Sequence, residues 1–341
     1  MRLATYNIEW FDALFDDDGR LLEDTGWSRR HDVTRGQQAG ALGRVFQAMD
    51  ADAIMVIEAP DGSKHRSSTR ALENFARRFG LRTRKALIGF QNQTQQEIAL
   101  LYDPDVVSAV HAPKGDPAGK KGAAGAPRFD TAFRWDLDTD RTSEVVHFSK
   151  PPLEAALTAP LGTVIQLIGV HIKSKAPHGA HGQKAIMQVS IENRRKQLAQ
   201  SIWLRNRVEQ HLALDEDVIV MGDFNDGPGL DEFEKLFGRS SVEIVLGEEA
   251  GPCLFDPHAA MALERRIGAA PTTSRFYIAD KKRYLQALLD YVMVSPRLRR
   301  ANPVWRIWHP FDDPDIFNDA DLKAALLLAS DHFPVTLDLQ I

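Results

Sequence analysis

VIVMGDFNDGP, residues 218–228, is the stretch on which the reading of this chain turns. Val218 to Met221 is an apolar run that reads as a buried strand. It passes through Gly222 into Asp223, Asn225 and Asp226, and Gly227-Pro228 follows at once. Asn, Asp and Gly are ordinary turn residues, so an Asx-type turn at a strand end is one reading. The other is that a rigid strand delivers two carboxylates and an amide to a ligand, because strand ends are where α/β proteins let side chains leave the core. The choice depends on whether other strands end the same way.

They do. LATYN (3–7), AIMVIE (53–58), IALLY (98–102), VVSAVH (106–111), FDTAFRWDL (129–137), EVVHF (144–148), VIQLIGVHI (164–172), LLDYVMVS (288–295) and PVTLDL (334–339) read as strands. Leu42, Val45, Phe46 and Met49 form one helical stripe, Leu72, Phe75, Ala76 and Phe79 a second, and a long helix is expected from about Gln183 to Leu212. Strands begin or end beside Asn7, Glu58, His171, Asp223, Asp290 and Asp331. No internal repeat or boundary divides the chain, so one domain over 1–341 is expected. Residues 112–128, APKGDPAGKKGAAGAPR, read as a mobile surface loop. Asp226, directly before Gly-Pro, reads as a turn residue.

Composition narrows the class. The chain has 341 residues, of which 43% are apolar and 26% charged, which is enough to bury a large core. It contains no apolar run of membrane-spanning length, and from its opening, MRLATYNIEW, no signal peptide is expected before the first strand. The lone Cys253 excludes an intrachain disulfide framework and fits a reducing compartment, so a cytoplasmic protein is expected. A formal charge of −5 gives no global basic footprint, so a polyanion would have to be held locally.

The polar strand ends share a chemistry. Asn7, Glu9, Glu58, Asp223, Asn225 and Asp331 are oxygen donors, the ligands that hard cations such as Mg²⁺ take. His171 and His332 can hold phosphate oxygens or move protons, and Asp290 can orient one of them. No cysteine or histidine cluster suits zinc. One such residue is most often structural; six at strand ends are not explained that way.

The ordered segments TYNIE, VIEA, FSKPPL, GVHIKSK, GDFND, LDYVMVS and SDHFPV, from residue 5 to residue 335, resemble the endonuclease/exonuclease/phosphatase superfamily, which includes deoxyribonuclease I, apurinic/apyrimidinic endonucleases, sphingomyelinases and inositol polyphosphate 5-phosphatases. The resemblance implies a four-layer α-β-β-α sandwich of two mixed sheets flanked by helices, and a Mg²⁺-dependent phosphodiesterase with Mn²⁺ or Ca²⁺ as substitutes. It implies that Glu58 is the principal metal ligand, assisted by Asn7, Glu9 and Asp331. Asp223 would orient or deprotonate water, Asn225 would hold the phosphate, His171 would bind a non-bridging oxygen, and His332 would act with Asp290. Asn7 and Lys150 are further expected substrate contacts. Two departures stand out: Lys150 occupies a position where many relatives have arginine, and Ile57 replaces the usual glutamine before the metal glutamate.

Substrate is the least specified property. The TYNIEWF, HIKSK and GDFND segments are similar in style to bacterial predicted nucleases of the superfamily, and Lys173 and Lys175 beyond His171 are candidate contacts to neighbouring phosphates. Nucleic acid is therefore the expected substrate, with lipid headgroups, inositol phosphates or small phosphate esters as the alternative. Arg194, Arg195, Lys196, Arg205 and Arg207 are expected on the solvated side of the long helix. Glu97 reads either as a partner of His171 or as a surface charge. A catalytically dead scaffold would have lost Glu58, Asp223 or His332, and all three are present.

Overall fold

The computed structural model describes residues 1–341 except 93, 95, 136–143, 178, 229–237, 249–250, 265–269 and 279–280. Two mixed sheets carry the fold. The first has the order β14 (Val304–Ile307), β15 (Val335–Asp338), β1 (Arg2–Asn7), β2 (Ala53–Pro60), β4 (Gln96–Tyr102), β3 (Lys85–Ile88). The second has the order β13 (Asp290–Val294), β10 (Asp217–Asp223), β9 (Val164–His171), β8 (Leu153–Thr158), β5 (Ser108–His111). Each sheet has a parallel pair at its centre, β1 with β2 and β9 with β10, flanked by antiparallel neighbours.

Side-chain alternation with period two explains the layering. Leu3, Met55, Ile57, Leu167, Ile219, Met221 and Val292 point inward and form the core between the sheets. Their neighbours face outward: Ala4, Tyr6, Ile54 and Val56 pack against helix α1 (Arg35–Met49), α2 (Ser68–Arg78) and the helix Ala320–Ala329. On the other side Ile168, Val170, Val218 and Val220 pack against Trp203, Leu204 and Val208 of α3 (Gln183–Ala213). The four layers expected from the resemblance are thus present. Helix α1 starts at a capping box, Thr34 with Gln37, and stops at Asp50 in a left-handed conformation.

Gly169 lets the sheets approach, since a Cβ there would lie 2.3 Å from Met55 Sδ. At Gly222 φ is +136° and a Cβ would meet the Val170 carbonyl oxygen at 2.1 Å, so the glycine of GDFND is required by close backbone approach.

Several strands lie outside the sequence reading. β3, β8, β14 and the hairpin β11 (Ser274–Ile278) and β12 (Arg283–Ala287) are short or carry mixed residues without a clean alternation. The expected strand 129–137 is reduced to β6 (Phe133–Trp135), paired with β7 (Glu144–Val146); residues 136 and 137 lie outside the described residues. The 112–128 segment is a surface loop, exposed at 115–117, 119–121 and 124–125, whose two ends are tied to α3: Trp203 Nε1 donates to Pro127 O at 2.8 Å, and Arg207 Nη2 donates to Lys114 O at 2.6 Å and Ala126 O at 3.0 Å. Arg207 is buried by these contacts, and Arg194 against Asp226 and Arg205 against the Val245 and Leu246 carbonyls are buried too, rather than solvated. A 31-residue helix packed beside loops and short helices offers its arginines backbone carbonyls and carboxylates, which satisfy the fork without water.

Candidate active site

Parallel pairing brings strand ends to one edge. Leu3, Thr5 and Asn7 alternate on the inner face of β1, and Ile219, Met221 and Asp223 do so on β10, so Asn7 and Asp223 emerge together at the end of the core. Asn7 Nδ2 donates to Asp223 Oδ2 at 2.9 Å. Glu58 follows a different rule. Alternation would turn it outward with Val56, but the register between β2 and β4 slips after Ile57, and Glu58 is the extra residue at φ +62°. That left-handed bulge re-aims the carboxylate into the same pocket.

His171, Asp223 and Asp290 stand in one row across β9, β10 and β13. His171 Nε2 lies 3.6 Å from Asp223 Oδ2 and 4.0 Å from Glu58 Oε1. Asn225, itself left-handed at φ +49°, donates its backbone N–H to Asp223 Oδ1 at 2.7 Å and its side-chain amide to Oδ2 at 3.0 Å. Burial pushes the Asp223 carboxyl up to about 7, against the pull of the His332 cation and the amide hydrogen bonds.

His332 Nδ1–H donates to Asp290 Oδ2 at 2.7 Å. Burial disfavours the His332 cation, but the charge of Asp290 and this hydrogen bond win and hold its pKa well above the ordinary histidine value. Thr273 Oγ1 donates to the same Asp290 oxygen at 2.8 Å and accepts the backbone N–H of Leu289 and Asp290, each at 3.0 Å. Ser330 ties the loop to β1, donating to Asn7 O at 2.8 Å and accepting the N–H of Glu9 and of His332.

Gln96, at the start of β4, is a site residue that no motif marked. It donates its amide to Glu58 and accepts from Lys150 Nζ. The glutamine missing before Glu58 is thus matched by one from the neighbouring strand. Lys150 Nζ also lies 3.0 Å from His171 Nδ1. As an ammonium can only donate, His171 Nδ1 accepts, and Nε2 carries the proton on the side of Asp223 and Glu58. Burial and the Lys150 charge hold His171 well below its ordinary value, so it is a neutral donor.

Asn7, Glu9, Trp10, Glu58, Gln96, Lys150, His171, Ser174, Asp223, Asn225, Asp331 and His332 line an open pocket of about 400 Å³. Among the described residues no group of three or more His, Cys, Asp or Glu is arranged to hold a metal ion. The donor set nevertheless suits a hard cation that keeps most of its water. The Asn7 carbonyl oxygen Oδ1 is buried without a hydrogen-bond partner. Burial and the neighbouring Asp331 push the Glu9 carboxyl up to about 7, although Arg30 donates to it, and burial raises Glu58 as well. Crowded, desolvated carboxylates beside an unpaired amide oxygen are what a divalent ion would relieve.

Three expectations meet other geometry. Lys175 Nζ pairs with Asp226 Oδ1 at 2.7 Å, and the Lys173 side chain, half-buried, is not among those lining the pocket. Asp226 is not a simple turn residue. It is 1% exposed and also accepts Arg194 Nη1 and the N–H of Ser241, each at 2.6 Å. Glu97 is buried and accepts the backbone N–H and side-chain amide of Asn92, rather than touching His171.

Comparison with known proteins agrees with this architecture. A humanized D. rerio TDP2 bearing 14 mutations superposes with a TM-score of 0.51 at 11% identity, covering 100% of this chain and 99% of that one. TDP2 from C. elegans gives 0.50 at 14% identity, covering 98% and 74%. The Bacteroides thetaiotaomicron mannosyl-6-phosphatase Bt3783 gives 0.48 at 14% identity over 100% of both chains. At these identities the likeness to the two TDP2 structures is one of fold. No curated protein matches the sequence. The family model described as "Endonuclease/Exonuclease/phosphatase family" matches residues 4–332, and the chain therefore belongs to the endonuclease/exonuclease/phosphatase family.

Proposed function

We propose that this protein is a divalent-metal-dependent phosphoester hydrolase of the cytoplasm whose substrates are nucleic acid phosphodiesters, cleaved by in-line attack of water. The observation that carries the reading is the convergence of a raised carboxyl, Asp223, held by the Asn7 and Asn225 amides, with the His171 N–H donor and the His332 cation on one pocket edge. A phosphoryl group there meets neutral and cationic donors on its oxygens, where another carboxylate would repel it. A divalent cation held by Glu58, with Asn7, Glu9 and Asp331, would supply charge neutralisation of the phosphoryl oxygens.

The chain's own groups divide the remaining work. A carboxyl near 7 can orient a water and accept its proton at neutral pH, and Asn225 and Asn7 keep Asp223 in place for it. His332, fixed through Nδ1 by Asp290, presents Nε2–H as an acid or phosphate donor. His171 Nε2–H is a donor for a non-bridging oxygen.

The test is hydrolysis of plasmid, single-stranded DNA, RNA, bis-p-nitrophenyl phosphate and phospholipids with Mg²⁺, Mn²⁺ or Ca²⁺ and with excess chelator. Metal-dependent cleavage of a nucleic acid is expected. Turnover confined to lipid or small esters would replace the nuclease reading, and full turnover in chelator would remove the metal.

A further inference from the structure

We infer that the β11–β12 hairpin is a stacking platform for unpaired bases of a single-stranded nucleic acid whose scissile phosphate lies in the pocket; the inference rests on the nuclease reading above. The root of the hairpin is part of the site wall. Thr273 holds Asp290, Ser274 bridges to His332, Arg275 N donates to Asp331 O at 2.7 Å, and Phe333 N donates to Thr273 O at 2.6 Å.

From that root the two strands run outward with Tyr277 opposite Tyr284 and Arg275 opposite Gln286, which places these four side chains on one face. The Tyr277 and Tyr284 rings lie 5.2 Å apart. The Arg275 guanidinium sits 3.4 Å from the Tyr284 centroid and 5.4 Å from that of Phe311. Phe311, Arg275, Tyr284 and Tyr277 thus form a continuous π and cation ladder. Its rings are open to solvent, 41% for Phe311, 51% for Tyr284 and 52% for Tyr277.

A two-stranded ribbon gains little stability from aromatics that touch one another and Arg275 yet remain about half exposed. Rings and a guanidinium in series match the faces of successive bases, which stack regardless of sequence. Lys281, Lys282 and Arg283 are exposed on the same ribbon and supply local positive charge on a chain that is acidic as a whole. A lipid surface fits less well: the ladder face, Arg275, Tyr277, Tyr284 and Gln286 with Phe311 beside them, carries no aliphatic side chain to bury among acyl chains.

The experiment compares kcat and KM of the full chain and of Tyr277→Ala/Tyr284→Ala on three substrates. These are a single-stranded oligodeoxynucleotide of about 12 nucleotides, within the usual site size of single-strand binders, the same oligonucleotide with abasic sites around the scissile bond, and bis-p-nitrophenyl phosphate. The double variant is expected to lose roughly 10- to 100-fold in kcat/KM on the intact oligonucleotide, mostly through KM, given the usual strength of base stacking. The losses on the other two substrates should be at least about tenfold smaller, and Tyr277→Phe/Tyr284→Phe should keep wild-type KM because it keeps the rings. Equal losses on all three substrates, or none on the intact oligonucleotide, overturn the platform while leaving the nuclease reading in place. Binding to phosphatidylcholine vesicles that the double variant loses, with unchanged oligonucleotide kinetics, also overturns it, in favour of a lipid surface. A wild-type chain that hydrolyses the small diester and no oligonucleotide removes the nuclease reading itself.

Discussion

Asn7 and Asp223, 216 residues apart, are joined by a 2.9 Å hydrogen bond that runs from the end of one sheet's central strand to the end of the other's. The bond marks where the intersheet core gives way to the pocket. It also fixes the carboxylate oxygen that faces His171, so the geometry of the site depends on how the two sheets are seated on each other.

Asp223→Asn should lose roughly 10²- to 10⁴-fold in kcat with little change in substrate affinity, the size expected when a general base or water-orienting group is removed. His332→Ala should lose a similar factor. The double variant should be hardly worse than the worse single one, because groups acting on one transition state are not additive. Single-turnover hydrolysis beside equilibrium substrate binding checks this; wild-type turnover by a folded Asp223→Asn would falsify the assignment.

Glu58→Gln should raise the divalent-ion concentration needed for half-maximal activity and weaken Mg²⁺ binding measured by calorimetry, since a hard cation needs the lost charge. Gln96→Leu should shift the same titration in the same direction by a smaller factor. It leaves the Glu58 charge in place but removes the amide that holds it and the acceptor of Lys150. An unchanged ion titration in Glu58→Gln would contradict the ligand assignment.

Arg194→Ala should destabilise the fold by about 3–5 kcal/mol, the usual consequence of leaving one partner of a buried ion pair unmatched. Arg194 and Asp226 are each 1% exposed, and Lys175 answers only part of the carboxylate. Urea unfolding measures it. A change of the size seen for surface salt bridges would show that Asp226 does not need its buried arginine.

The stability of the wild type should fall relative to that of Glu97→Gln as pH rises from about 4.5 to about 7. Burial pushes the Glu97 carboxyl up to about 7 despite the Asn92 and Gly62 N–H donors, so the folded state keeps a proton that the unfolded chain releases from its ordinary value of 4.5. Between those values the folded state binds more protons, and unfolding free energy declines with pH at up to ~1.4 kcal/mol per unit. Urea midpoints across that range give the difference, and parallel curves for the two proteins would refute it.

What could be read directly follows from local periodicity. The apolar runs of LATYN and VIVMGD read as buried strands that end at Asn7 and Asp223, and an apolar strand that ends in polar residues at several places needs no tertiary information to be recognised. SDH and LDY, read the same way, meet in the structure as the His332–Asp290 pair. Other features depended on how distant segments pack. Glu58 enters the pocket only because a bulge against β4 breaks the alternation that would have turned it outward. Gln96 and Thr273 act through contacts with Glu58 and Asp290 on other strands, and neither sits in a distinctive motif. Asp226 looks like a turn residue because Gly-Pro follows it, yet Arg194, on a helix 32 residues earlier, makes it a buried ion-pair centre. The sequence by itself determined the apolar core strands and the residue types at their ends, since these rest on local runs of hydrophobic residues, while the short or mixed strands β3, β8, β11, β12 and β14 carry no such run. The tertiary structure decided which of those ends share a pocket and what each side chain touches, since register slips, bulges and buried charge pairing come from contacts between segments that local periodicity does not encode.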